Sequence, residues 1–304
     1  MHHYTTQTST SLWTKPGMQQ VWQQPFVAEA LQHKFLLHGL LALAASHRLH
    51  LTLSDLPSSY QHQAIKHRAL ALKHTVPVFN HISPSNSTAL FAPSSVIALL
   101  SLTVPPSDAP SSPSNMTAPL DALLEFFTLM RGVPTVLDSA KVPIMQSHFA
   151  PLLDRQWHPH TYPLAPELAQ QFEDVATVIR TRSPDTAAKE ACTTALERLV
   201  RTYKTFPVVK DDEGMAFVWS AGCPALFFEL LRRREPAALV VLAYYLVMLS
   251  SIEQVWWLEG KARAVMEAIT GCLPLSWQRY MVWPWDVVSR SRRVCVVDDV
   301  VTVA

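Results

Sequence analysis

The 304-residue chain is rich in apolar side chains, which make up 49% of it, whereas charged residues make up only 16%. This composition excludes an intrinsically disordered chain, because so many apolar side chains favour burial in a core. The 25 Lys and Arg residues balance 24 Asp and Glu residues, which leaves a formal net charge of +1. No clustered basic surface of the kind that binds phosphates is indicated, so we predict no direct nucleic-acid contact by this chain.

The cysteines and histidines do not form a metal-binding pattern. The four cysteines are scattered, and no CxxC pair is present to place two thiolates on one ion. Of the 13 histidines, the close pairs His2–His3 and His158–His160 lie in predicted loops without further ligands at suitable spacing. We therefore predict no metal and no cofactor. Free thiols and a polar N-terminal stretch without a signal-peptide core predict the cytoplasm and nucleus as the location.

Hydrophobic periodicity predicts an all-α fold, taken here in chain order. Residues 1–20 are expected to be irregular. Helices are predicted over 27–51, over 59–79 after the capping residues Ser58 and Ser59, over 87–102 and over 120–137, with Gly132 and Pro134 at a kink or terminus. Further helices are predicted over 166–181, 185–206, 215–233, 236–253, 255–270 and 275–282. The apolar stretch 237–249 is shorter than the roughly 20 residues that cross a bilayer, so it predicts a buried helix and no transmembrane segment.

We predict one all-helical domain over residues 1–304. It would comprise N-terminal helices (1–103), a Pro/Ser-rich loop (104–119), a central helix (120–150), a Pro-rich connector (151–165), a C-terminal helical set (166–286) and a tail (287–304). Proline and serine runs do not sustain helices, which is why both connections are predicted as loops.

No phosphate-binding, zinc-protease or serine-hydrolase motif is present. The glutamates Glu125, Glu229 and Glu253 lie in apolar helices, where burial would make them acids but where an exposed helix face is the alternative. Aromatic side chains crowd between residues 217 and 285. They indicate either a filled aromatic core or a large apolar pocket in which a few polar groups orient a flat hydrophobic ligand.

Seven strings in order along the chain carry a resemblance. Four lie in the first half: FLLHGLLALAASHRLHL (35–51), YQHQAIKHRALAL (60–72), ALFAPSSVIALLSL (89–102) and LLEFFTLMRGVPTVL (123–137). Three follow in the second half: VWSAGCPALFFELLRRREPAALVVLAYYLVML (218–249), VWWLEGKARAVMEAI (255–269) and SWQRYMVWPW (276–285). Together they resemble the regulatory domain of fungal Zn2Cys6 zinc-cluster transcription factors, closest to the sterol uptake control branch.

The resemblance implies an all-helical, ligand-responsive transcriptional regulatory domain with an internal apolar pocket for a hydrophobic small molecule of sterol or terpenoid type. It also implies a homodimer, or a heterodimer with full-length regulators. The cysteine-rich DNA-binding module of the family has no counterpart here. Either the sequence is part of a longer protein, or the regulatory domain stands alone. The ligand-binding residues expected from aromatic or methionine character are Met130, Trp219, Tyr244, Met248 and Trp257.

A stand-alone domain leaves another function open. Its apolar pocket could serve as an enzyme of fungal secondary metabolism, cyclising or isomerising an apolar substrate, since such chemistry needs shape, water exclusion and one or two oriented donors. The candidate catalytic residues would then be Glu125, Arg131, Glu229, Tyr244 and Glu253. The sequence favours the regulatory function over the enzyme, because no catalytic motif accompanies the resemblance. A third alternative is a partner that dimerises with full-length regulators and inhibits them.

Overall fold

The structure, a computed structural model, describes residues 1–52, 59–79, 87–104, 116–152, 162–183, 185–209 and 213–290. Every regular element in these ranges is helical, which confirms the all-α prediction. The chain divides into two compact units. The first unit comprises Met1–Ser112, Glu125–Gln156 and Val255–Trp257, and the second comprises Pro113–Leu124, Trp157–Gln254 and Leu258–Ala304. The division into N-terminal helices, connector and C-terminal set stays a prediction.

The helices of the first unit surround one long helix, α4. In chain order the elements are a π-helical turn (Tyr4–Thr8), α1 (Ser9–Ser11), α2 (Pro16–Gln23), α3 (Pro25–Gln32), α4 (Lys34–Leu51), α5 (Ser59–Phe79), α6 (Ser87–Thr103), α7 (Ala118–Met145) and a 3-10 turn (Ala150–Leu152). The first seven residues of α7, 118–124, belong to the second unit. Proline occupies the first position of α2 and of α3, where the missing N–H has no helical partner to lose. Helix α4 packs against α5, α6 and α3.

A glycine sets the distance between α4 and α6. A Cβ atom placed on Gly39 would lie 2.6 Å from Cγ1 of Val96 on α6, well inside the van der Waals separation. The β-branched side chain of Val96 has one strongly preferred rotamer in a helix, so it has little freedom to move away. The absence of a side chain at Gly39 therefore allows the two helices to approach this closely.

The second unit is organised around α13. Its elements are α8 (Pro166–Arg182), α9 (Thr186–Val209), α10 (Glu213–Ala216), α11 (Val218–Gly222), α12 (Ala225–Arg232), α13 (Pro236–Ser250), α14 (Lys261–Cys272), a 3-10 turn (Leu275–Met281) and α15 (Val282–Arg290). Every residue of α13 from Ala237 to Ser250 is buried. Helices α8, α9, α12, α14 and α15 all contact it, so α13 is the core helix that its apolar sequence predicts.

Helix α12 ends in a turn that leads directly into α13. Arg234 adopts a positive φ of 60°, and the N–H of Glu235 donates to the carbonyl of Leu230 at 3.0 Å. This is the Schellman arrangement, in which glycine is the usual left-handed residue. The guanidinium of Arg234 forms an ion pair with Asp121. This ion pair favours arginine at a position where glycine is usual. Pro236 then begins α13.

Several predicted boundaries were wrong. Residues 4–11 and 16–23 are helical rather than irregular, because Pro16 starts a helix and Trp22 and Met18 supply a buried face. The helix predicted over 27–51 is interrupted at His33, whose backbone is extended (φ −125°, ψ 107°). Helix α7 continues through Gly132 and Pro134 to Met145.

The segment between α13 and α14 also differs from the prediction. Residues 251–260 form turns, and α14 begins at Lys261 rather than at Val255. The carboxylate of Glu253 accepts hydrogen bonds from the N–H groups of Gly260 and Ala262, at 3.3 and 2.9 Å. Because these N–H groups belong to the start of α14, Glu253 defines where that helix begins.

Much of the two predicted loops and residues 291–304 of the predicted tail (287–304) lie outside the described residues, whereas residues 287–290 belong to α15 rather than to a tail. Within the described ranges, no helix is both long enough and apolar enough to cross a membrane.

Candidate functional site

Aromatic side chains pack on and beside α13, and we call Phe172, Trp219, Phe227 and Trp283 the aromatic wall. Trp219 is held in place by several contacts. Its indole N–H donates to the carbonyl of Ala195 on α9 at 2.9 Å, and its ring stacks on Tyr245 with centroids 4.4 Å apart. Phe227 meets the same indole edge-on at 5.8 Å. Trp219 is 2% exposed, so the ring and its polar group are both satisfied within the protein.

Tyr244 points toward α8 rather than toward Trp219. Its ring contacts Phe172 and Trp283 at centroid distances of 5.4 and 5.3 Å, and its hydroxyl donates to Oε1 of Gln171 at 3.1 Å. Gln171 is half-buried, so this hydrogen bond lies at the edge of the aromatic wall. Burial, followed by the charge of Asp174, raises the pKa of Tyr244 and keeps its hydroxyl protonated. The hydroxyl is therefore a hydrogen-bond donor over the whole physiological pH range.

Met248 lies one helical turn after Tyr244 on α13 and is 1% exposed. The hydroxyl of Tyr203 on α9 donates to the backbone carbonyl of Tyr244 at 2.7 Å. Trp219, Tyr244 and Met248, which the sequence predicts as ligand-binding residues, thus all belong to the second unit and line or form α13.

The other two predicted ligand-binding residues belong to the first unit. Trp257 is buried, its indole N–H donates to the carbonyl of Leu12 at 2.8 Å, and Trp13 packs against it edge-on. Met130 is half-buried on α7. The five residues therefore divide between the two units, three in one and two in the other.

The candidate catalytic glutamates make contacts that stabilise the fold. In the first unit, Oε1 of Glu125 lies 2.8 Å from Nη2 of Arg68. Arg68 is itself buried, and its Nη1 donates to the carbonyl of Val104 at 2.7 Å. This ion pair connects α5, the end of α6 and α7. Arg131 is half-buried further along α7.

The two remaining glutamates differ in exposure. Glu229 lies on the exposed face of α12, 3.9 Å from Arg233 one turn later. Glu253 is half-buried; burial raises the pKa of its carboxyl, although the hydrogen bonds from Ala262 and Gly260 oppose that shift. The ion pair of Glu229 and the hydrogen bonds of Glu253 thus give each carboxyl a contact within the fold.

A cleft of about 640 Å³ opens in the first unit. Helix α4 contributes Leu41, Ala44, Ala45 and Arg48, which follow the i, i+3, i+4, i+7 spacing of a single helix face. Helix α5 contributes Tyr60, Gln63 and His67 at similar spacing, and His2, His3, Thr6 and Gln7 complete the wall. The volume lies within the range of roughly 300–1,000 Å³ that small-molecule sites occupy.

Histidines pack beneath and beside this cleft. The ring of His47 lies between those of His3 and Trp256, at 5.2 and 4.9 Å, and its Nδ1 is 3.1 Å from the hydroxyl of Thr8. Burial, and to a smaller extent the neighbouring His3 and His50, lowers the pKa of His47 to about 4. His47 is therefore neutral at physiological pH.

Further along the same face of α4, Nδ1 of His38 lies 3.0 Å from Nδ1 of the cleft-lining His67 on α5. Two neutral imidazoles can share one hydrogen bond in this way. Across the part of the chain that the structure describes, no group of three or more His, Cys, Asp or Glu side chains is arranged to hold a metal ion.

Sequence reasoning missed this cleft. The prediction that residues 1–20 are irregular gave no reason to expect His2 and His3 beside a helix face. The stripe formed by Leu41, Ala44, Ala45 and Arg48 was the available signal, because a helix face that mixes alanine with one arginine suits a site better than a core.

Comparison with known proteins agrees with the resemblance. Residues 1–143 match the family described as the fungal specific transcription factor domain. Over 303 aligned residues the chain is 26% identical to a Zn(2)-C6 fungal-type transcription factor of Gibberella zeae. That alignment includes 93% of this chain but only 60% of the relative, so the chain spans less than two thirds of the relative's length. The first 143 residues are thus similar to the fungal specific transcription factor domain, as the sequence resemblance implies.

Proposed function

We propose that this chain is a ligand-responsive transcriptional regulatory domain of the sterol uptake control type, which binds a hydrophobic small molecule of sterol or terpenoid class. The observation that carries the regulatory part is the match of residues 1–143 to the fungal specific transcription factor domain. The ligand-binding part rests on the resemblance of the seven strings between residues 35 and 285 to the sterol uptake control branch, and on the aromatic wall beside α13.

Tyr244 and Gln171 are the polar groups at which such a ligand would be oriented. A sterol has one hydroxyl on a flat apolar body, and a hydroxyl bound in an apolar site needs a hydrogen-bond partner. The hydroxyl of Tyr244 and the half-buried side chain of Gln171 offer such a partner beside the rings of Tyr244, Phe172 and Trp283. The ligand hydroxyl would accept the hydrogen bond of the Tyr244 hydroxyl in place of Gln171, or donate to Gln171 in place of Tyr244.

Titration of the purified chain with ergosterol and with farnesol, monitored by tryptophan fluorescence, tests this proposal. Tyr244→Phe removes the hydroxyl but keeps the ring, so ergosterol binding should weaken about tenfold, the effect of losing one buried hydrogen bond to a ligand. Tyr162→Phe, at an exposed tyrosine, is the matched control and should leave binding unchanged. Absence of saturable binding of either probe would refute the ligand-binding part and leave the regulatory role intact.

We further propose that the chain acts through a partner and moves between cytoplasm and nucleus. The family match supports a nuclear function, and the balanced net charge of +1 gives no reason to expect DNA binding by these residues alone. Light scattering after gel filtration would detect a homodimer. A fluorescent fusion followed with and without added ergosterol would show whether ligand changes nuclear occupancy. A uniformly distributed monomer under both conditions would contradict this part.

The contacts of the candidate catalytic residues do not favour the enzyme alternative. Glu125 and Glu229 are in ion pairs, and Glu253 accepts hydrogen bonds from the start of α14. Incubating the protein with metabolite extract from a strain that lacks the gene, followed by mass spectrometry, would reveal an activity if one exists.

A further inference from the structure

We infer that the cleft in the first unit is a second ligand site, and that its ligand is an amphipathic organic anion: a carboxylate carried on a short apolar body. The cleft contains none of the five ligand-binding residues predicted from the sequence. The inference therefore stands independently of the sterol proposal.

The charge of the cleft selects the ligand's head group. Arg48 is an exposed cation on its wall, and His2, His3 and His67 supply further nitrogen atoms, whereas no acidic residue is among the described residues that line it. Burial and then the positive charge of Arg48 lower the pKa of His3, so this guanidinium is close enough to act on the histidine side of the cleft. An organic anion would supply the missing negative charge.

Geometry prepares Arg48 for this role. Its guanidinium carbon lies 4.6 Å from the centre of the Tyr60 ring on α5, so the planar group is held over an aromatic face while its N–H edges stay available. A guanidinium presents two parallel N–H donors that match the two oxygens of a carboxylate. The Nε2 atom of His3 is buried in this wall without a hydrogen-bond partner, and it offers a second polar contact.

The floor of the cleft selects the ligand's body. Ala44 and Ala45 have only methyl side chains, and the space between α4 and α5 above them is left open for that reason. Leu41 and Leu51 extend this apolar surface, and Leu51 is 56% exposed. A polar anion alone would leave these side chains in contact with water, whereas an alkyl or aryl group attached to it would cover them.

A neutral sterol fits this cleft less well. It would displace water from Arg48 and the histidines without offering a charge in return, and desolvation of an unpaired cation is unfavourable. The head-group charge, the apolar floor and the volume together point to a carboxylate with a medium-length chain rather than to a large neutral ring system.

Isothermal titration calorimetry with three probes tests the inference on the whole chain: decanoate below its micelle concentration, decanol and acetate. Decanoate should bind, whereas decanol, which lacks the charge, and acetate, which lacks the apolar body, should each bind at least about tenfold more weakly. Equal affinity for decanoate and decanol would overturn the inference, as would the absence of decanoate binding at millimolar concentration.

Two substitutions locate the site. Arg48→Gln should weaken decanoate binding at least about tenfold and leave decanol binding unchanged, because only the charged contact is lost. Ala44→Leu fills the floor and should weaken both ligands. Arg201→Gln, at an exposed arginine of α9 in the second unit, is the matched control and should have no effect. Arg48 is exposed, so its variant should fold normally, and an unchanged decanoate affinity in Arg48→Gln would by itself refute the assignment.

Discussion

Helices α4 and α13 each contact several other helices of their unit, yet they bury different chemistry. Helix α13 is buried on every side by apolar and aromatic groups, and the few polar atoms around it are held by protein partners such as Ala195 and Gln171. Helix α4 buries ten residues but includes His47 and Ser46 among them, and its face toward α5 lines an open cleft. The comparison teaches that the central helix of one unit forms an apolar core, whereas the central helix of the other has a partly polar, titratable surrounding.

The largest expected effect comes from breaking the aromatic wall of α13. Trp219→Ala removes a fully buried ring that stacks on Tyr245, so we expect the free energy of unfolding to fall by about 3–5 kcal/mol. Trp219→Phe keeps most of the ring but leaves the Ala195 carbonyl without its donor, which should cost about 1–2 kcal/mol. Urea denaturation of both variants measures these values. A loss of less than 1 kcal/mol for Trp219→Ala would contradict the tight packing of α13.

The interior of α4 should instead respond to pH. His47 is neutral in the folded protein because its pKa is lowered to about 4, whereas in the unfolded chain it binds a proton below its ordinary value of 6.5. The unfolded state thus gains protons first, and stability should decrease as the pH falls from about 6.5 to about 4, by at most roughly 3 kcal/mol.

Urea denaturation at several pH values checks this expectation for His47. His47→Asn should reduce the pH dependence, since an amide can still contact Thr8 but does not titrate. His62→Gln, at an exposed histidine of α5, is the control and should keep the slope of the unaltered protein. An identical slope in His47→Asn would show that other groups cause the acid sensitivity.

A smaller effect is expected where α4 meets α6. Gly39→Ala introduces a methyl group that would lie 2.6 Å from Cγ1 of Val96, and the resulting strain should destabilise the protein by about 1–3 kcal/mol. Gly17→Ala on α2 meets no atom within 4 Å and should be neutral or slightly stabilising, because alanine favours a helix over glycine. Thermal denaturation of the two variants should therefore shift the midpoint in opposite directions or leave Gly17→Ala unchanged. A stabilised Gly39→Ala would contradict the close approach.

Helical periodicity and proline positions made much of the fold predictable from the sequence. Two helices were predicted close to their observed bounds. The apolar run that starts at Pro236 predicted α13, and the helical periodicity that starts at Ser59 predicted α5. The first 23 residues were mispredicted because their polar composition hides Tyr4, Trp22 and Met18, which are buried through tertiary contacts. Glu253 could not be recognised as the cap of α14, because its partners Gly260 and Ala262 are several residues away through a turn.

The candidate site was less predictable than the fold. Residue character selected five residues for ligand binding: Trp219, Tyr244 and Met248 lie on or beside α13, whereas Met130 and Trp257 belong to the other unit. Aromatic and methionine side chains serve any apolar environment, so their identity does not reveal which helix they face. The cleft beside α4 is open because Ala44 and Ala45 carry only methyl groups. Its volume can be recognised only once the position of the facing helix α5 is known.

Trp257 gives the first unit an unusual chain path. Its indole bonds to the carbonyl of Leu12, 245 positions earlier in sequence, although the rest of that unit ends at Gln156. Residues 157–254 belong to the second unit, so the first unit is complete only once residues 255–257 are present. Closing so long a loop carries an entropic cost that only late, non-local contacts repay, which slows folding. The segment that matches the family, residues 1–143, lacks Val255–Trp257 and hence the ring partners of His47 and Trp13, so its folding depends on chain made much later in synthesis.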